Sequence, residues 1–430
     1  MASSGSAQSL QAPRNDLKYL LLTLHLPATA MGLGLGLTVP VIPELAQRMG
    51  PNAETAPLIF AASLAGTFVS ALPVGILIDK LGRRRVLLAG LIITAVASLL
   101  TSKVAQDGAS GSLMELAVYR FILGWGIQMW TMSRITVIAD TGAVNQRGKQ
   151  VTQMFGMHQI GVYFGPIIGG LAAVSLGLWA PFVVHAAVVM AALIPSLYLL
   201  RETAPSAPPG QEAGPAIRRD GAWRAMLAAP VSTVLLVAFL MSAAHSGVTA
   251  GGVLSIYSDS AYGMRVDGLV RYGVVGMAGI AIVFAAGFVM DRFGRKYTIV
   301  PGLILYSGSS MALLAAVTLL EVSYAWFVAV SVLLLMSTYV TSGSTMTLGA
   351  DVAPEAARGR FFGLLNTVVQ VGPVMTGILT VVLFGLEARF AALLSLTGLT
   401  AFAGALVVIF LVPETLRREQ PAPAAESTTT

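Results

Sequence analysis

The sequence contains no cysteine in 430 residues, and only 11% of its residues are Asp, Glu, Lys or Arg. Without thiols there is neither a disulfide nor a thiolate metal site. Soluble domains carry about 25% charged residues, so a chain this poor in charge has no polar coat to present to water. The first sixteen residues, Met1 to Asp16, hold no apolar run, and no cleaved signal peptide is expected. Enzyme signatures are missing too: there is no His-Glu-x-x-His and no Gly-x-Ser-x-Gly. Gly142 to Gln150 has the wrong spacing for a phosphate loop, with five residues between Gly142 and Gly148 and a glutamine after the lysine. The net charge of +6 is spread singly through short loops, which excludes a continuous nucleic-acid-binding face.

What the chain has instead is apolar length. Hydrophobic residues make up 56% of it, and a membrane helix needs about 20 of them in a run. Hydropathy predicts twelve spans, at 17–42, 55–79, 85–104, 112–138, 151–175, 180–201, 229–256, 268–290, 298–319, 323–348, 361–385 and 388–413. Runs of this length exclude barrel strands of roughly ten residues. The fold class is therefore an all-α polytopic membrane protein with twelve helices. With the N-terminus inside, nineteen of the 26 Lys and Arg residues fall in cytoplasmic segments and five in outer loops, so both termini are expected in the cytoplasm. Residues 202–228 contain Pro205-Ser206-Ala207-Pro208-Pro209-Gly210 and read as a flexible cytoplasmic linker. It separates a first group of six helices (17–201) from a second (229–413), with tails at 1–16 and 414–430. Within the linker, Ala216 to Leu227 carries Arg218, Arg219, Trp223 and Arg224, which suits a short interfacial helix.

The two halves repeat. Gly75, Asp79, Gly82 and Arg83 return 212 residues later as Gly287, Asp291, Gly294 and Arg295. Asp140, Arg147 and Gly148 return 211 residues later as Asp351, Arg358 and Gly359, and Gly165-Pro166 returns as Gly372-Pro373. Three matched blocks in one order imply a tandem duplication.

These blocks carry a resemblance. Gly75 to Arg84, between the second and third spans, resembles the loop signature of the major facilitator superfamily, with Gly287 to Lys296 as its degenerate echo. Tyr119 to Gly126 is similar to that family's fourth-helix motif, placing Arg120 at its arginine. Gly161 to Gly170 resembles the fifth-helix signature of the drug:proton antiporter branch. The resemblance covers about Leu17 to Pro413 and implies two pseudo-symmetric six-helix bundles. It also implies that Asp79 and Arg83 join Asp140 and the start of the eleventh helix near Arg358 in a cytoplasmic latch, with Gly75, Gly82 and Asp291 as further parts. In the antiporter motif, which ends at Gly170, Gly161, Gly165 and Gly169 form a smooth stripe for a neighbouring helix and Pro166 favours a bend.

Two arginines lie inside the fourth span. Arg120 and Arg134 are fourteen residues apart, about 21 Å along a helix and about 40° apart around it. The repeat puts Ser331 and Thr345 opposite them, so this charge belongs to one half only. A cavity role is expected for Arg120, whereas Arg134 is equally well placed to snorkel to the interface. Gln128, Trp130, Gln159, Tyr163, Tyr339, Asn366 and Gln370 are the other candidate cavity residues. The third, sixth, ninth and twelfth spans are nearly all apolar, as lipid-facing helices should be. No Asp or Glu lies deep in a span, unlike many members of the antiporter branch. His25 and His158, each about 12 Å in from the cytoplasmic end, are the candidates for carrying a proton, against the plainer reading of hydrogen-bonded interior histidines.

The function expected is secondary active transport by alternating access, a proton-coupled efflux of small amphipathic or anionic compounds. Uptake of an organic acid or sugar is the alternative, and a non-transporting sensor is a more distant one. Expected partners are a small-molecule substrate, protons and membrane lipids. No nucleic acid, cofactor or metal is expected, and the protein is read as a functional monomer in a bacterial inner membrane.

Overall fold

The computed structural model describes residues 21–38, 41–49, 55–107, 112–141, 144–203, 230–245, 265–319, 323–341, 343–354, 357–383 and 389–415, and no strand occurs among them. Helices are what lipid demands, because each apolar run must satisfy its own backbone groups. In the first half a π turn, Leu21–His25, runs into α1 (Leu26–Thr38), followed by α2 (Val41–Met49), α3 (Thr55–Leu81), α4 (Arg83–Asp107), α5 (Leu113–Thr141), α6 (Val144–Leu176) and α7 (Ala180–Leu199). The second half has α8 (Val231–His245), α9 (Arg265–Phe293), α10 (Lys296–Leu319), α11 (Tyr324–Thr341), α12 (Ser344–Val352), α13 (Arg358–Leu383) and α14 (Arg389–Leu411). Eight stretches among the described residues are long and apolar enough to cross a membrane.

Most helices match the expected spans, with one correction. The join of the first span at residues 39 and 40 lies outside the described residues, between α1 and α2. The tenth span is broken, into α11 and α12, by Gly343 at φ +77. That left-handed backbone is one that glycine adopts without penalty. The expected interfacial helix at 216–227 and the end of the seventh span at 246–256 lie outside the described residues.

Backbone-to-backbone approach through glycine governs the packing. Against α1, α6 presents Gly161, Gly165 and Gly169: a Cβ on Gly165 would meet Gly36, and one on Gly169 would meet Leu37. A Cβ on Gly170 would meet nothing within 4 Å, so that glycine takes no part in the seam. Between the halves, α3 meets α13 where Gly75 lies against Gly359 and Gly363, and α6 meets α9 where Gly287 lies against Thr152. The largest buried cluster straddles this join, with Val74 and Ile78 packed among Phe361, Phe362 and Leu365. Apolar side chains such as Ile92, Ile194, Ile304 and Phe410 remain exposed on α4, α7, α10 and α14, consistent with the lipid-facing expectation.

Candidate functional site

The end of the helices that carries Arg83, Arg147, Arg295 and Arg358 is here the basic end. There α3 turns sharply into α4 at Gly82, whose φ of +89 only glycine holds without strain. The turn leaves the first amides of α4 without helical acceptors. The Glu202 carboxylate fills that place, accepting from the Arg83 N–H at 2.9 Å and the Arg84 N–H at 3.1 Å. Asp79, one turn before Gly82, reaches across to the second half. Its oxygens accept the Gly359 N–H at 2.8 Å, the Arg360 N–H at 3.0 Å and the Arg360 Nε–H at 3.1 Å. The start of α13 is thus held by a carboxylate from the other half, which also suits the positive end of its dipole.

Asp140, at the end of α5, takes three donors. Arg83 Nε is at 2.9 Å, Thr203 Oγ1 at 3.1 Å, and Arg358 Nη1 arrives from the second half at 2.6 Å. The residues expected in the latch make two neighbouring links between the halves. Asp79 grips the backbone of α13 and Arg360, while Arg358 goes to Asp140.

The second half repeats the arrangement. Gly294 turns at φ +120, and Glu414 accepts the Arg295 and Lys296 N–H groups at 3.0 and 3.1 Å. Asp291 accepts the Gly148 N–H at 3.0 Å, the Lys149 N–H at 2.6 Å and Arg295 Nη1 at 3.0 Å. Asp351 takes Arg295 Nε at 2.9 Å and Thr415 Oγ1 at 2.7 Å, with Arg147 of the first half at 3.6 Å. Burial raises the Asp291 carboxyl above its ordinary value, opposed by the Lys149 amide, Arg295 and the Gly148 amide. Four carboxylates thus tie the halves together in two symmetry-related pairs, and the basic end is closed.

Several of these groups were not among the expected site residues. Arg147, Arg295 and Asp351 appeared only as members of the repeat, and Arg360, Glu202, Thr203, Glu414 and Thr415 not at all. The signal was in the sequence: Glu202-Thr203 and Glu414-Thr415 are 212 residues apart, the same offset as Asp79 and Asp291. Both pairs stand beside tails of loop-like composition, which masked them.

Toward the middle of the helices the seam between halves carries two polar contacts. Tyr163 on α6 and Tyr339 on α11 share a short hydroxyl hydrogen bond, and Gln370 on α13 donates to Thr67 on α3 at 3.2 Å. A Cβ at Gly279 would enter the Tyr339 ring, so α9 also closes on this spot. Asn366, one turn before Gln370, is buried with its Nδ2 unpartnered. Gln159 meets His158 Nδ1 at 3.4 Å. Gln128 is buried with Nε2 unpartnered, and Trp130 packs in the core cluster at 2% exposure. Arg134 is 3% exposed and within electrostatic reach of the largely buried His25, so it does not snorkel to water. Arg120 is 1% exposed, and its Nε and Nη2 have no hydrogen-bond partner. Among the described residues no cluster of His, Asp or Glu has the form of a metal site.

The family model of the Major Facilitator Superfamily matches residues 26–377. Multidrug resistance protein MdtL of Klebsiella pneumoniae is 26% identical over 285 residues, which is 65% of this chain and 69% of that protein. Quinolone resistance protein NorA of Staphylococcus aureus is 28% identical over 212 residues, covering 49% of this chain and 53% of that one. Among solved structures, the human organic anion transporter MFSD10 superposes with a TM-score of 0.73 at 15% identity, covering 92% of this chain and all of that one. The proton:xylose symporter XylE does so with 0.72 at 16%, covering 94% and 97%. The duplicated loop signature, the mirrored carboxylate clasps and these matches agree: the chain is a multi-pass membrane protein that belongs to the major facilitator superfamily.

Proposed function

We propose that the protein is a proton-driven exporter of small amphipathic or anionic organic compounds that works by alternating access between two six-helix bundles, 17–201 and 229–413. The basic end faces the cytoplasm in this reading, in keeping with the positive-inside bias. The observation that carries it is the pair of mirrored clasps. Each joins a carboxylate of one half to the amides at a helix start of the other, so both release together when the halves rock apart. Substrate would enter from the cytoplasmic leaflet or cytoplasm once the clasps open. It would be held at the seam by Tyr163, Tyr339, Gln370 and Asn366, whose polar groups need new partners when the seam parts.

The direction of transport rests on the drug-resistance relatives and on the fifth-helix motif; the proton:xylose symporter shares the fold alone, which leaves the uptake alternative with less support. For the proton, His25 beside Arg134 is our candidate, because a protonated imidazole and a guanidinium repel each other and couple protonation to movement of α1 against α5. The experiment is a screen in proteoliposomes of cationic, neutral and anionic amphipathic compounds, with and without an imposed pH gradient. Gradient-driven flux of at least one compound, lost in Asp79→Asn and in Tyr163→Phe/Tyr339→Phe, is expected. Flux that ignores the gradient in every case would reject proton coupling, and accumulation with the proton gradient rather than against it would reject export.

A further inference from the structure

At the basic end of the second half, an open groove of about 790 Å3 lies where the start of α10 meets the end of α14. Phe293, Tyr297 and Ile409 line it and are all exposed, Tyr297 most at 69%. Lys296 also lines it, and its Nζ donates to the Ile409 carbonyl at 3.0 Å, so two further ammonium donors remain. Arg292 is exposed, with its guanidinium 5.6 Å from the centre of the Phe293 ring, so a second cation stands at the same wall. Neither Lys296 nor Arg292 enters an ion pair among the described residues. The carboxylate on the wall, Glu414, has its two oxygens on the Arg295 and Lys296 amides at 3.0 and 3.1 Å. Val300 and Pro301 continue the wall inward, about 6–8 Å along α10. Pro301 has no N–H to give the Tyr297 carbonyl, which leaves that acceptor without its helical donor.

The first half shows which of these features helix packing requires. At an offset of 212 residues, Arg84 and Leu197 stand for Lys296 and Ile409, and Arg84 Nη2 donates to the Leu197 carbonyl at 2.7 Å. Glu202 stands for Glu414 and caps its helix in the same way. Those contacts are common to both halves. The differences are Leu81, Arg85 and Ala89, where the second half has Phe293, Tyr297 and Pro301. Two aromatic rings and a proline therefore shape this wall in one half only. Aromatic and basic side chains together suit the headgroup layer of a bilayer, and the apolar wall running inward from them suits an acyl chain.

We propose that this groove holds one anionic phospholipid. Its phosphate sits between Lys296 and Arg292, and one acyl chain runs over Val300, Pro301 and Ile409. Headgroup hydroxyls, as in phosphatidylglycerol, donate to the Glu414 carboxylate and the Tyr297 carbonyl. The lipid ties the start of α10 to the end of α14 from outside the bundle. The site requires only that the chain lies in a bilayer, and it is independent of the cargo and of the direction of transport.

The test is native mass spectrometry of the full chain in detergent, titrated with phosphatidylglycerol and in parallel with phosphatidylcholine, with thermal unfolding as a second readout. One saturable phosphatidylglycerol adduct is expected, with a rise in Tm that phosphatidylcholine does not match, a result that needs no variant. Lys296→Gln/Arg292→Gln keeps polar side chains but removes both charges. It should weaken the adduct by roughly 5- to 30-fold, the effect of one to two basic groups near an anionic headgroup, with Tm in phosphatidylcholine near that of the parent. Lys80→Gln/Arg85→Gln removes two exposed cations from the matching place in the first half and should leave the adduct unchanged. Glycerol phosphate, which has the charge but no acyl chain, should not raise Tm. Equal binding of the two lipids, an adduct that survives Lys296→Gln/Arg292→Gln, or an equal loss in the first-half variant would overturn the proposal. So would a rise in Tm with glycerol phosphate as large as that with the lipid.

Discussion

Replacing Asp79 with Asn alters two atoms' worth of chemistry and should open the closed end. In the native protein the Asp79 carboxylate accepts two backbone N–H groups at the start of α13 and the Arg360 side chain. Asparagine retains one acceptor oxygen and points an NH2 group at the remaining donors. Hydrogen bonds to a charged group contribute about 1.5–3 kcal/mol each. The Arg360 contact is discounted because that side chain is 23% exposed. The closed arrangement should therefore lose about 2–4 kcal/mol relative to the open one, which is roughly a 30- to 700-fold shift in the equilibrium. The absence of cysteine makes the assay clean. Thr152 is fully buried on α6 against Gly287 of α9, so Thr152→Cys should react with maleimide only when the halves part. Its labelling rate should rise by that factor in Asp79→Asn while detergent-extracted yield stays near normal. A rate within threefold of the parent, about 0.7 kcal/mol, would refute the account of Asp79 as a clasp.

Other outcomes follow from the same geometry. The Asp291 carboxyl titrates more readily in the closed state than in water, because burial raises it. By linkage the closed end gains stability as pH falls through the raised value and loses it as pH rises again. Spin-label distances across the seam, followed upward in pH from the ordinary carboxylate range, should show this, and Asp291→Asn should flatten the dependence. Gly165→Val would drive a side chain into Gly36; since overpacking typically costs about 1–3 kcal/mol, a Tm lower by several degrees with unchanged membrane insertion is expected. Removing either hydroxyl of the Tyr163–Tyr339 pair should weaken substrate binding similarly, and the double change should add little, because both lose one shared bond. A strictly additive double mutant would show that the pair is not coupled.

Much of the fold was legible because lipid leaves few choices: long apolar runs must be helices, and the Lys and Arg bias orders the loops. The clasp was legible in outline because duplication wrote it twice. Its wiring was not, since the partners of Asp79 and Asp291 are mainly backbone amides, which every residue possesses and no motif records. Glu202 and Glu414 escaped for a related reason: each caps a helix more than a hundred residues away in sequence, from a stretch that reads as linker or tail. Trp130 looked like a cavity residue because aromatic side chains suit ligands, yet the same bulk fills a core equally well. The break at Gly343 was hidden by uniform hydropathy, which measures burial and is blind to φ.

The amide partners of Asp79 and Asp291 have an evolutionary consequence. A donor that belongs to the main chain cannot be deleted by changing a side chain short of proline, so each clasp is exposed to missense mutation almost wholly from its carboxylate side. Variants that retune how readily this protein opens should therefore gather at Asp79 and Asp291 and at the caps Glu202 and Glu414. Gly148, Lys149 and Gly359 should tolerate only what preserves helix geometry. Because the two clasps are duplicates, a loss at one can be compensated by tightening the other, which gives selection a graded control over the resting state.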